Sequence, residues 1–261
     1  MPDIVPPFTF YKKNFITDSA TMTATSANPS FIKNLYDRKP STVVSSLTSN
    51  DTTPEVWEIT PYDCTCPIDT LFIQNHNIKS GTVDYWNGSA WVAFSTPATW
   101  SANTANMTVF KFTGVPIKKL RVTMNTTIIP NAQKYIGEIY MLQTLGTPSA
   151  PPSTVSAPTN IEGVIHKTAT GGFYRAVRGF KKRLKLTFSD ATPADVSLFE
   201  TLSLSIDSFI VWPSAGVYLG QDMGYRLQDI YEVGWAGDFE TSPKGMMLKV
   251  GESIQIDLME T

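Results

Sequence analysis

Alternation of apolar and polar positions with a period of two runs through the first 145 residues. Trp57 and Ile59 alternate with polar neighbours over 56–60. Leu71, Phe72 and Ile73 form a short apolar run within 69–75, and Val83 and Tyr85 share one face over 81–86. Short segments of this kind read as β-strands. Further strands are predicted over 108–112, 118–124 and 135–142. Asn87-Gly88 separates the segment 81–86 from Trp91-Val92-Ala93-Phe94, and Asn-Gly between two alternating runs is the strongest short-range hairpin signal. Helical spacing is weak here, with one short turn expected over 31–36, after Asn28-Pro29. About seven or eight short strands with little helix predict a β-sandwich.

The pattern changes after residue 145. Residues 146–160 carry Pro148, Pro151, Pro152 and Pro158 among Ser, Thr and Ala. Prolines exclude a regular helix or a central strand, so this stretch is predicted to be a semi-rigid linker. The chain then divides into an N-terminal arm (1–19), a first domain (20–145), the linker (146–160) and a second domain (161–261). The arm holds Phe8, Phe10, Tyr11 and Phe15 behind a proline-rich start. Either it docks on another molecule or it is an ordinary first strand. In the second domain Arg175, Arg178, Lys181, Lys182, Arg183 and Lys185 alternate into Leu184, Leu186 and Phe188. This is a strand with a cationic face, serving either as an edge protected by charge or as a subunit contact with an acidic neighbour. Thr192-Pro193-Ala194-Asp195 is a helix start: Thr192 caps, Pro193 suits the first helical position, and Asp195 closes a capping box. Val196, Phe199 and Leu202 give one apolar stripe, and the helix is predicted over 192–203. Strands are expected over 209–212, 228–233, 246–250 and 254–258. The predicted fold class is all-β: a jelly-roll-type sandwich followed by a small antiparallel β-sandwich with one α-helix.

Composition narrows the function. Of 261 residues, 21 are Lys or Arg and 23 Asp or Glu, a net charge of −2 without the basic excess of an electrostatic nucleic-acid binder. There are 32 Thr and 22 Ser, which with 11 % aromatics favour strands over helix. No apolar run approaches the ~20 residues of a membrane-spanning helix, so no membrane insertion is expected. The first seven residues lack the basic and apolar regions of a leader peptide. Cys64 and Cys66 are too close to staple distant segments, which suits synthesis in a reducing compartment. His76 and His166 are the two histidines, leaving little for metal or general-base chemistry. No phosphate loop, zinc pattern or nucleophile elbow occurs. Asp222, Asp229, Glu232, Asp238 and Glu240 cluster loosely, and read as solvated carboxylates rather than a glycosidase pair. Neither catalysis nor a cofactor is expected.

Seven segments, in order, carry a resemblance. They are Thr23 to Asn28, Leu35 to Thr42, Trp57-Glu58-Ile59-Thr60, Asp69 to Ile73, Val83 to Trp91, Leu120-Arg121-Val122-Thr123, and Ile136 to Tyr140. Together they resemble the discoidin, or coagulation factor 5/8 type C, domain, a galactose-binding-like jelly roll, over about residues 20 to 145. The resemblance implies core positions for Trp57 and Trp91. It also implies a calcium position at Asp37, Thr42 and Glu138. Arg38 stands where that family has Gly and Lys39 follows it, so the two cations are expected to take the place of the ion and no metal is expected. Trp86 at the hairpin turn, Trp100 between polar stretches, and His76 are the candidate ligand-binding residues. Phe8, Phe10, Tyr11, Arg175, Arg178 and Lys182 are the candidate subunit contacts. The second domain loosely resembles, in architecture alone, the sandwich-plus-helix domains of phage tail tubes, distal tail proteins and tail terminators.

The expected function is that of a structural protein of a bacteriophage tail, baseplate or tail tip, made in the host cytoplasm and carried on the virion. Its partners would be copies of itself and other tail proteins, with the jelly roll docking or adhering to a host surface glycan. The alternative is a carbohydrate-binding module of a bacterial surface or secreted protein.

Overall fold

A computed structural model describes residues 8–12, 14–39, 41–61, 67–156, 159–167, 173–189, 191–205, 207–212, 230–236 and 254–260, with the backbone alone for 159–167 and 173–180. The chain divides into two compact units, and the division does not follow the order of the sequence. One takes Lys12–Thr144, the other Pro6–Tyr11 with Leu145–Thr261.

The strand β1 (Phe10–Lys12) lies at the first crossing between them. The first unit continues with β2 (Thr21–Ala24), a 3-10 turn (Pro29–Leu35), β3 (Val44–Ser45), β4 (Glu55–Thr60), β5 (Pro67–His76) and β6 (Ile78–Trp86). Then follow β7 (Trp91–Trp100), β8 (Met107–Pro116), β9 (Leu120–Thr127) and β10 (Tyr135–Leu142). They form two antiparallel sheets, β3-β10-β5-β8 and β2-β4-β9-β6-β7. Trp57 and Ile59 of β4, Leu120, Val122 and Met124 of β9, and Leu71 and Ile73 of β5 meet in one buried core. This is the two-sheet sandwich that the period-two pattern predicts. The Trp57 indole N–H is satisfied within it by the buried Glu55 carboxylate at 2.9 Å, which also accepts the main-chain N–H groups of Ser26 and Ala27.

The β6–β7 hairpin turns as Asn-Gly predicts. The Asn87 side-chain oxygen accepts the N–H groups of Ser89 and Ala90 at 2.9 Å, and Gly88 has φ 110°. Gly81 serves packing. β6 runs so near β9 that a Cβ there would stand 2.3 Å from the Thr123 carbonyl oxygen. Gly81→Ala is therefore expected to lose about 1–3 kcal/mol, seen as a lower denaturant midpoint. An unchanged midpoint would mean that β6 and β9 are farther apart than described.

The second unit holds β11 (Thr144–Gly146), β12 (Thr154–Ser156), β13 (Thr159–Lys167), β14 (Phe173–Phe188), α1 (Pro193–Ser203), β15 (Phe209–Val211), β16 (Tyr231–Trp235) and β17 (Ile254–Glu260). Its strands join in one sheet in the order β11-β1-β15-β16-β17-β14-β12, with β13 pairing β14. α1 starts as predicted: Thr192 caps, Pro193 opens the helix, and Asp195 completes the capping box. Phe199 and Leu202 face a core made with Leu184, Leu186, Phe209, Val233 and Leu258. The proline-rich stretch is tied down at both ends rather than spanning free space. Ser149 gives its N–H and hydroxyl to Asp195 at 2.8 and 2.5 Å, and 154–156 form the edge strand β12, where prolines nearby do no harm. The strand expected over 246–250 lies outside the described residues.

Candidate functional site

The expected contact residues Phe8, Phe10 and Tyr11 are buried, at 2, 0 and 4 % exposure. Phe10 meets Phe8, Phe199 and Phe209 edge-on at 5.2, 6.1 and 5.8 Å. The docking-arm reading is corrected: Phe8 and Phe10 fill the second unit's own core, where they remove more apolar area from water than a free arm would. Lys182 is also engaged internally. Its ammonium donates to the Tyr231 hydroxyl at 3.1 Å, and its main-chain N–H donates to Glu260 at 3.1 Å. The neighbouring Arg183 pairs with Asp257 at 2.7 Å. The side chains of Arg175 and Arg178 lie outside what is described.

Two of the three candidate ligand residues are core residues. His76 is fully buried, and burial pushes its pKa down to about 4, so it is neutral. Its Nδ1 accepts the Ile78 N–H at 3.1 Å, which leaves Nε2–H to donate to Thr108 Oγ1 at 2.8 Å. Trp100, expected at the surface, is 4 % exposed and gives its indole N–H to the same Thr108 oxygen at 2.9 Å. Both polar handles are satisfied inside the sandwich, so neither residue is available to a ligand.

Trp86 is different. It is half-buried, on the solvent side of the sheet β2-β4-β9-β6-β7. Trp91 stands directly opposite it across the hairpin, and the rings meet edge-on at 5.5 Å. Trp91, assigned to the core by resemblance, is therefore an outer-face residue. Val92, its neighbour, pairs with Tyr85, which packs against the core. On β9, Arg121 lies with its guanidinium carbon 4.6 Å from the Trp91 ring centre and its Nη2 2.8 Å from Asp84. The ion pair holds the cation over the indole, a cation–π arrangement. Glu58, next to Arg121 across β4, and Thr82 and Thr123 continue the same face. The hairpin register was the missed signal. A turn that sets Trp86 opposite Trp91 forces both onto one face.

The calcium position implied by the resemblance is assembled. The Asp37 and Glu138 carboxylates come together, because the Lys39 N–H donates to both, at 2.9 and 2.7 Å. The Thr42 hydroxyl reaches Asp37 at 2.8 Å. Glu138 is fully buried and its Oε2 has no hydrogen-bond partner. Burial, and Asp37 beside it, push its pKa up to about 8. Arg38 and Lys39 were expected to neutralise this pair with their side chains. Both residues are exposed, and their main-chain N–H groups are given to Glu138. Arg38 takes φ 60°, the left-handed conformation that the family's Gly would adopt freely. Two carboxylates, one of them with a buried oxygen that has no partner, and a hydroxyl are oxygen donors of the kind a hard cation such as calcium takes.

The class defined by these observations is a two-sheet antiparallel sandwich bearing an aromatic–charged outer face. No protein-family model matches the chain, and no curated protein matches it. Solved structures do. The chitosan-binding module 1 derived from a Paenibacillus sp. IK-5 chitosanase/glucanase is 15 % identical, with TM-score 0.39, over 50 % of this chain and 98 % of that one. The family 32 carbohydrate-binding module of C. perfringens NanJ, solved with galactose, is 15 % identical with TM-score 0.40, over 50 % and 98 %. A pectin-binding module is 15 % identical with TM-score 0.37, over 50 % and 91 %. At this similarity the likeness concerns the course of the backbone over half the chain and does not carry a ligand across.

Proposed function

We propose that this is a non-catalytic saccharide-binding protein whose first unit holds a sugar on the Trp86–Trp91 pair. One observation carries the reading: two half-buried indoles on a mostly polar sheet face, with a paired Arg121 and Asp84 beside them. Protein-binding surfaces need a broader apolar core than two rings among threonines and charges. A sugar ring has the size of an indole, an apolar face to lay on it, and hydroxyls for adjacent donors and acceptors. The tail-protein reading keeps its compositional motive, and the glycan-binding reading is supported in addition by the indole pair on the outer face.

Trp86→Ala is expected to weaken retention on immobilised glycan by about tenfold or more, with the melting temperature little changed, because Trp86 lies outside the core. Glycan-array signals equal to those of the parent chain would overturn the reading.

A further inference from the structure

Around the indole pair the charges are lopsided. Lys118 places its ammonium at the hairpin turn, 3.4 Å from where a Cβ on Gly88 would stand. The Trp86 main-chain N–H donates to the Lys119 carbonyl at 2.9 Å, and the register Asp84↔Arg121, Tyr85↔Leu120 continues to put Lys119 opposite Trp86. Both lysines are exposed. Arg121 completes a cationic border along the Trp86–Trp91 pair. Asp84 is consumed by Arg121, and Glu58 lies on the far side of Arg121, one strand farther from the rings. A ligand seated on the indoles thus meets two exposed ammonium groups, with the Arg121–Asp84 pair beside them.

We propose that the outer face selects an acidic polysaccharide, one whose sugar rings carry carboxylates. This rests on the saccharide reading above and adds the charge of the ligand. The ring faces stack on Trp86 and Trp91, while the carboxylates lie against Lys118 and Lys119. The lysines act as exposed point charges, so the preference weakens as salt shortens the range of their field to about 8 Å near physiological ionic strength.

The test uses the full chain against polygalacturonate and alginate, each beside its esterified form. Esterification keeps the rings and removes the charge. The expected result is at least about tenfold tighter binding to the acid than to the ester. Lys118→Glu and Lys119→Glu should narrow that ratio, and Trp86→Ala should abolish binding to both forms. Equal binding of acid and ester, still lost in Trp86→Ala, overturns this inference and leaves the saccharide reading standing. Binding to the acids that survives Trp86→Ala is charge attraction without a site, and overturns both. Binding to neither acid overturns the inference, and neutral glycans lost in Trp86→Ala then keep the broader reading.

Discussion

In chelator-treated protein, Glu138→Gln is expected to melt well above the parent chain at pH 8 to 9 and at nearly the same temperature near pH 4. The Glu138 carboxyl is buried against Asp37, and its pKa in the folded state is raised to about 8 from an ordinary 4.5. Between those values the unfolded chain has released the proton and the folded chain still holds it. Folded protein then binds more protons than unfolded, so stability falls as pH rises through this window and levels off above it. The loss is on the order of a few kcal/mol. Glutamine mimics the protonated acid: its oxygen still accepts the Lys39 N–H, and its amide can donate towards Asp37. The variant escapes the penalty and should show a flatter profile of melting temperature against pH. A cation at the same place would offset the penalty by another route. Added Ca²⁺ should therefore raise the parent's melting temperature at pH 8 and leave Glu138→Gln unmoved. Parent and variant profiles that run parallel from pH 4 to 9 would show that Glu138 ionises freely, and would overturn this account.

What the sequence made legible, and what it hid, follows from the range of the interactions involved. The Asn87-Gly88 turn and the Thr192 capping box are settled by residues within a few positions of one another, and both stand in the structure as read. Alternation located the strands because one face of each is buried. It did not place Trp91 and Trp100, which were assigned by resemblance and by polar neighbours. The pairing of β7 with β6 sets Trp91 opposite Trp86 on the outer face and Trp100 opposite Gly81 on the inner one. Such cross-strand partners are invisible to a count of alternate positions along one strand. The buried charges were hidden for a similar reason. Glu55, Lys134 and Glu138 are almost wholly buried. Lys134 gives its ammonium to the carbonyls of Asn50 and Thr53. Their partners are groups remote in sequence, many of them main-chain, and no pattern of side chains announces them. The site on the outer face was half legible: Trp86 was visible at its turn, while Arg121 and Asp84 belong to strands joined only by folding.

Phe10→Ala should unfold or severely destabilise the second unit, although 134 residues separate Phe10 from Leu145, where that unit resumes. Phe10 has no exposed surface and packs edge-on against Phe8, Phe199 and Phe209. Truncating a phenylalanine in such a core costs about 3–5 kcal/mol, the lost transfer energy plus a cavity that cannot fully close. Edge-on ring contacts add to the loss. For a unit of this size that is a fall in melting temperature of roughly 10–20 °C or more. Hydrogen exchange would localise the effect. Amides of β14, β15, β16 and β17 should lose protection, while the β4–β9 and β5–β10 ladders of the first unit keep theirs better. A free docking arm makes the opposite forecast: Phe10→Ala would leave every amide protected and alter only assembly with other molecules. Removing the segment before Lys12 offers a second route to the same decision, since it takes away β1 and both Phe8 and Phe10. Unchanged protection in β15 and β16 after either change would return these aromatics to the surface and reopen the arm as a contact. Loss of protection there would fix the N-terminal segment as a strand on which the far end of the chain depends to fold.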